Sequence, residues 1–170
     1  MALVQEQRAP AHLAPSGGAD GVVQEVLARR AHDDGALLPI LHDIQDRLGF
    51  VPSAAVPEIA EALNLSRAEV HGVVTYYHHF RDQPAGRHVV QICRAEACQS
   101  MGADALMAHA ELRLGCHSHA TTADGEFTLE PVYCLGLCAS APALTLDGEV
   151  HARVTPKTFD ALIEEARSEA

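Results

Sequence analysis

The chemistry this sequence offers is concentrated in four cysteines. Cys93-Arg-Ala-Glu-Ala-Cys98 is a C-x4-C pair, and Cys134-Leu-Gly-Leu-Cys138 is a C-x3-C pair. A thiolate is a soft metal ligand, and four of them converging are the donor set of a [2Fe–2S] cluster. Gly136, Ala139 and Ser140 make the second loop small, so backbone N–H groups can approach sulfur and raise a cluster's potential. Other chemistries stay open on spacing alone. Structural zinc prefers tighter knuckles such as C-x2-C, although spacings up to four occur, so a zinc-stabilised interaction module is the alternative. Thiol redox enzymes want C-x-x-C, which is absent. A plant-type ferredoxin run would need Cys at position 101, which is Met, and Cys116-His117-Ser118-His119 supplies at most one of the two Cys-His pairs of a Rieske centre.

Both pairs need elements that bring them together. His88 to Cys93, with Val89, Val90 and Ile92, reads as a strand that ends on the first cysteine. A helix fits 101–114. Thr121-Thr122 and Asp124-Gly125 lead through a hairpin turn into a strand from Phe127 to Tyr133, which runs into Cys134. Ala143–Leu146, Asp147-Gly148 and Val150–Val154 read as a second hairpin. Thr155-Pro156 opens a last helix with Phe159, Leu162, Ile163 and Ala166 on its apolar face. Strand ends of one sheet lie near each other, so the two loops are expected to meet.

Upstream the pattern is helical. Val22, Val23, Val26 and Leu27 mark a first helix. Leu37, Leu41, Ile44 and Leu48 mark a second, with Gly49 placed to stop it. A third covers 53–63, with Val56, Ile59, Ala60 and Leu63 on one face and Pro57 in its first turn. Ser66-Arg67-Ala68-Glu69 is a capping box for a fourth, which is expected to bury Val70, Val73, Val74 and Tyr77. The fold class is therefore α+β, an N-terminal helical bundle followed by a thioredoxin-like α/β domain. The divisions are a disordered segment over 1–20, the bundle over 21–80, a linker over 81–87 and the cysteine-bearing domain over 88–170.

Bulk properties bound the function. The 170 residues carry 12 basic and 23 acidic side chains, so the net charge of −11 argues against nucleic acid and anionic lipid. No run approaches the roughly 20 apolar residues of a membrane span, and the N-terminus lacks a signal-peptide pattern, so a cytoplasmic protein is expected. There an odd set of five cysteines suits metal ligation better than disulfides. Cys116 reads as a half-buried thiol at a helix end. His78-His79 and His117-x-His119 read as surface or interface residues, and Tyr76, Tyr77 and Phe80 as an aromatic patch that packs the bundle onto the second domain. Arg94 and Glu96, inside the first cysteine loop, read as solvated loop charges, with a raised cluster potential as the functional alternative for Arg94.

With these residues in view, positions 36–168 resemble the 24-kDa-type subunit of respiratory complex I and its soluble relatives, which are thioredoxin-like [2Fe–2S] ferredoxins. The stretches that carry the resemblance are Gly49-Phe50-Val51-Pro52, Val70-His71-Gly72-Val73-Val74-Thr75-Tyr76-Tyr77 and Cys134-Leu-Gly-Leu-Cys138-Ala-Ser-Ala-Pro142, with both cysteine spacings. Cys93-Arg-Ala-Glu-Ala-Cys98-Gln99 and Leu129-Glu-Pro-Val-Tyr-Cys134 are most similar to the gamma subunit of soluble, molybdenum-containing NAD-dependent formate dehydrogenases. The resemblance implies one [2Fe–2S] cluster on Cys93, Cys98, Cys134 and Cys138, electron transfer without catalytic residues, and no activity alone. It also implies a flavin- and iron–sulfur-containing NAD-reducing subunit as direct partner and a molybdenum-containing formate-oxidising subunit in the same complex. FMN, NAD and the molybdenum cofactor would sit on those partners. NAD-reducing hydrogenases and complex I use an equivalent subunit.

Overall fold

A computed structural model describes residues 18–168. The expectation for 1–17 lies outside the described residues, but Ala19 and Asp20 are already helical. The chain divides into two compact units, 1–84 and 85–170.

The first unit is four helices: α1 (Ala19–Arg30), α2 (Leu37–Leu48), α3 (Ala55–Ala62) and α4 (Arg67–Tyr76). Gly49 stops α2 as expected, because at φ 83° it takes the left-handed cap that costs glycine least. Both arms of the capping box form at α4. The Ser66 hydroxyl accepts from the Glu69 N–H at 3.2 Å, and the Glu69 carboxylate accepts from the Ser66 N–H at 2.8 Å. Val23, Val26, Ile40, Leu41, Ile44, Ile59 and Val70 form the core, and each fully buried aliphatic side chain contributes roughly 1.5–3 kcal/mol. The expected face of α4 is corrected. Val70 alone is fully buried, Val73 and Val74 are half-buried, and Tyr77 is 43% exposed. Tyr77 leaves the helix for extended backbone (φ −87°, ψ 106°), so the helical period no longer aims it inward. Buried Gln45 closes the unit by donating to the His79 carbonyl and accepting from the Arg81 N–H, each at 2.7 Å. Asp43 accepts from both Arg30 and Arg29, and these hydrogen bonds hold its carboxyl below the usual carboxylate range.

The second unit is one five-stranded sheet in the order β2-β3-β1-β4-β5, with β1 at His88–Cys93, β2 at Ala120–Thr121, β3 at Phe127–Val132, β4 at Ala143–Leu146 and β5 at Glu149–Ala152. Strands β1 and β3 are parallel, and the other pairs are antiparallel. A short helix that sequence pattern missed, α5 (Glu96–Ser100), lies inside the first cysteine loop. Alternation along the strands sends Val90, Ile92, Phe127, Leu129 and Leu144 to one face. There they pack against α6 (Ala103–Leu114) and α7 (Pro156–Ser168). Pro156 opens α7, as its missing N–H allows. The opposite face carries a polar ladder in which Gln91 donates to Glu130 at 3.0 Å and accepts from Thr145 at 3.1 Å. Among the described residues no helix is long and apolar enough to cross a membrane.

Candidate iron–sulfur site

The parallel register of β1 and β3 places the site. Cys93, the last residue of β1, pairs with Val132, the last of β3. Parallel strands end at the same edge, so Cys134, two residues past Val132, emerges beside Cys93. Ala143 opens β4 at the same edge, because Leu144 pairs with Ile92. Cys98 sits on α5, and Cys138 begins a one-turn 3-10 helix, Cys138–Ser140.

The two pairs differ in surroundings. Cys93 and Cys98 are 2% and 3% exposed and form a small core with Ala103 and Ala141. Cys134 and Cys138 are exposed. Burial pushes the Cys93 thiol up. Donation from the Ala95 N–H, the Cys98 thiol and the N–H groups of Leu135 and Cys134 outweighs that, so its net shift is downward. Burial pushes Cys98 up, the contact with Cys93 adds to it, and the Ala143 N–H opposes it. Cys138 is pushed up chiefly by the contact with the Cys134 thiol. Cys134 stands at φ 117°, a conformation uncommon for a side-chain-bearing residue, and its sulfur accepts from the Gly136 N–H at 3.4 Å. Glycine allows that turn, since Gly136 itself needs φ 77°.

The four thiols thus come as two interacting pairs, and backbone N–H groups of the second loop favour the thiolate of Cys93. Among the described residues no three His, Cys, Asp or Glu side chains gather as donors for a single ion. Four thiols in two pairs are the donor set of a [2Fe–2S] group. N–H groups aimed at sulfur stabilise thiolate and lower the cost of holding negative charge there.

Three other residues singled out by sequence take definite places. Arg94 has a partner: its guanidinium donates to Asp104 at 2.7 and 3.2 Å. The carboxylate beside it offsets part of its charge. Cys116 is half-buried just past the end of α6, and burial with the nearby Glu111 and Asp124 carboxylates pushes its thiol up. Phe80 packs in the core of its own unit, with His42 at 5.0 Å and Tyr77 at 6.2 Å between ring centres. Sequence reasoning missed the donors Ala95, Leu135, Cys134 and Ala143. A backbone N–H has no residue signature, and the glycine of the second loop was its only trace.

Comparison with known proteins agrees with this geometry. Residues 23–167 match the family described as thioredoxin-like [2Fe-2S] ferredoxin. A component of the NADH-quinone oxidoreductase of Pseudomonas aeruginosa is 39% identical over 129 residues, covering 76% of this chain and 78% of that protein. Its Escherichia coli counterpart is 36% identical over the same coverage. Among solved structures, an NAD+-reducing [NiFe]-hydrogenase in the air-oxidized state superposes with a TM-score of 0.64 at 26% identity, over 78% of this chain. The chain spans only 23% of that hydrogenase chain. The protein therefore belongs to the thioredoxin-like [2Fe–2S] ferredoxin family, whose cofactor is one [2Fe–2S] cluster.

Proposed function

We propose that Cys93, Cys98, Cys134 and Cys138 are the cluster ligands, and that the chain is an electron-transfer subunit of an NAD-linked oxidoreductase. The observation that carries this reading is the convergence of the two loops at one sheet edge, where Cys93 pairs with Val132, two residues before Cys134. Once bound, the cluster supplies reversible one-electron transfer. The chain's residues hold it and set its surroundings. Cys93 and Cys98 anchor one side in the core. Gly136 gives the second loop the bend that aims an N–H at the Cys134 sulfur. No residue is assigned a catalytic role.

The direct partner is a flavin- and iron–sulfur-containing NAD-reducing subunit; the names of the relatives above support an NAD-linked assembly. We assign the assembly as a cytoplasmic NAD-dependent formate dehydrogenase with a molybdenum-containing formate-oxidising subunit. The loop residues Arg94, Ala95, Glu96, Ala97 and Gln99 support this assignment. The equivalent place in an NAD-reducing hydrogenase is the second reading, favoured by the structural superposition, and complex I has the higher sequence identities.

The test is visible absorption and low-temperature EPR on protein purified without oxygen, before and after dithionite, with iron and zinc counted. A red-brown protein with about two irons per chain and a paramagnetic reduced state agrees with the cluster. A colourless zinc protein ends the reading. Activity with NAD of the assembly isolated from source cells, assayed separately on formate, hydrogen and quinone, decides among the three complexes.

A further inference from the structure

The remaining surface of the second unit holds an unexplained feature beside the cysteines. An open groove of about 480 Å³ runs between the α5–α6 junction, the 3-10 helix and the segment leading into α7. Its walls include Met101, Ala139, Pro142, Val154 and Pro156, with Arg153 at the rim. Met101 is 61% exposed, although a thioether of that size is usually sheltered. The lining of the groove lies close along the chain to both pairs, since Met101 is three residues past Cys98 and Ala139 follows Cys138.

Charge singles out the same place. The chain carries −11, and most cations of this unit are engaged with its own groups. Arg87 faces Glu126, Arg94 holds Asp104, Arg113 holds Asp160 and Glu164, and Arg167 lies over the Phe127 ring. Arg153 and Lys157 are the exceptions. Neither makes an ion pair or a side-chain hydrogen bond among the described residues. Both are exposed, and both are placed against local preference. Arg153 stands at φ 52°, pinned by its N–H to the Ser140 carbonyl at 2.9 Å, while the Val154 N–H reaches the Pro142 carbonyl at 2.9 Å. Left-handed backbone at a residue other than glycine is a cost that functional sites tend to hold. Lys157 is the only lysine in the sequence and occupies the first turn of α7, where the helix dipole favours anions and no acidic residue is present. Local rules broken without compensation inside the chain point to a compensating group outside it.

We propose that this groove is the docking surface for the electron-exchange partner, and that it receives a segment of that partner bearing apolar side chains flanked by carboxylates. Apolar side chains fill the groove against Met101 and Pro142, and the carboxylates meet Arg153 and Lys157. Charge opposite to that of the chain as a whole steers the partner to the groove whose lining includes Ala139, next to the exposed Cys138. The inference rests on the reading of the four cysteines as cluster ligands.

A single lysine makes the test direct. The full chain and the assembly isolated from its source cells are treated with an amine-acetylating reagent, and modification of Lys157 is followed by mass spectrometry. Lys157 is expected to react readily in the chain alone and at least about tenfold more slowly in the assembly, where a zero-length carboxyl–amine coupling reagent should join it to an Asp or Glu of the chain that reduces the cluster. Unchanged reactivity in the assembly, coupling only to other chains, protection without any coupling, or recovery of the chain from the cells without a partner overturns the proposal. The double variant Arg153→Glu, Lys157→Glu should bind the partner at least about tenfold more weakly, and more so at low salt, with the visible and EPR spectra unchanged. Binding at the unsubstituted strength also overturns it. Those spectra separate the two readings: a chain that carries the cluster while Lys157 stays reactive in the assembly loses the groove and keeps the ligands.

Discussion

The two cysteine pairs share one edge of the sheet and are built by opposite means. Cys93 and Cys98 are held by packing, one at the end of a central strand and the other on a short helix, both shut off from solvent with Ala103 and Ala141. Cys134 and Cys138 are held by backbone conformation, on an exposed turn that needs a left-handed glycine and an unusual φ at Cys134 itself. The first pair inherits its position from the hydrophobic core. The second is free of the core and depends on a few dihedral angles and N–H groups. A rigid buried side and an exposed conformational side is a sensible division for a group that must be held firmly and still be reached by a partner.

The strongest way to break this contrast is to replace one proposed ligand from each side. Cys98→Ser should leave almost no iron on the protein, because a hydroxyl in that closed site replaces a soft ligand and has no water to relieve it. Cys138→Ser, exposed on a single turn, should retain a measurable share, with a shifted visible spectrum. Iron counts and absorption check this, and equal loss from both variants would erase the distinction. A second test concerns stability. Ile92→Ala, next to Cys93 and fully buried, should cost about 2–5 kcal/mol in urea unfolding of the second unit. Leu137→Ala, half-buried beside Cys138, should cost less than about 1 kcal/mol.

Smaller effects sharpen the account of the second loop. A methyl group on Gly136 would meet no atom within 4 Å, so Gly136→Ala tests backbone conformation alone. It should cost about 1 kcal/mol and make the reduction potential more negative by disturbing the N–H aimed at the Cys134 sulfur. A redox titration that gave the unsubstituted value would remove that hydrogen bond from the explanation. The smallest expected change lies at the Arg94–Asp104 pair. Arg94→Ala should lower the potential slightly and Asp104→Asn raise it slightly, while the double variant Arg94→Ala, Asp104→Ala stays near the starting value. Opposite shifts that fail to cancel would show that Arg94 acts alone.

Much of the architecture was legible along the chain. The order of strands and helices from His88 onward followed from apolar periodicity, the Asp124-Gly125 and Asp147-Gly148 turns, and Pro156. The helix ends at Gly49 and Ser66 followed from capping chemistry. The candidate ligands were legible as well, because thiol spacing is a property of sequence. Two features were less so. The helix α5 spans only Glu96–Ser100, too short for any period to register, and Tyr77 escaped its expected burial because the helix stopped one residue earlier.

Local sequence thus settled residue types, the two spacings and most element boundaries, since these depend on neighbours a few positions apart. The tertiary structure decided the rest. The pairing of Cys93 with Val132 brought loops about forty residues apart to one edge. Arg94 met a partner ten positions away. The N–H groups of Leu135, Cys134 and Ala143 were aimed at sulfurs of the other loop. Every residue but proline carries such a donor, so nothing in its identity marks the few that point at a thiol. Only the folded backbone selects them.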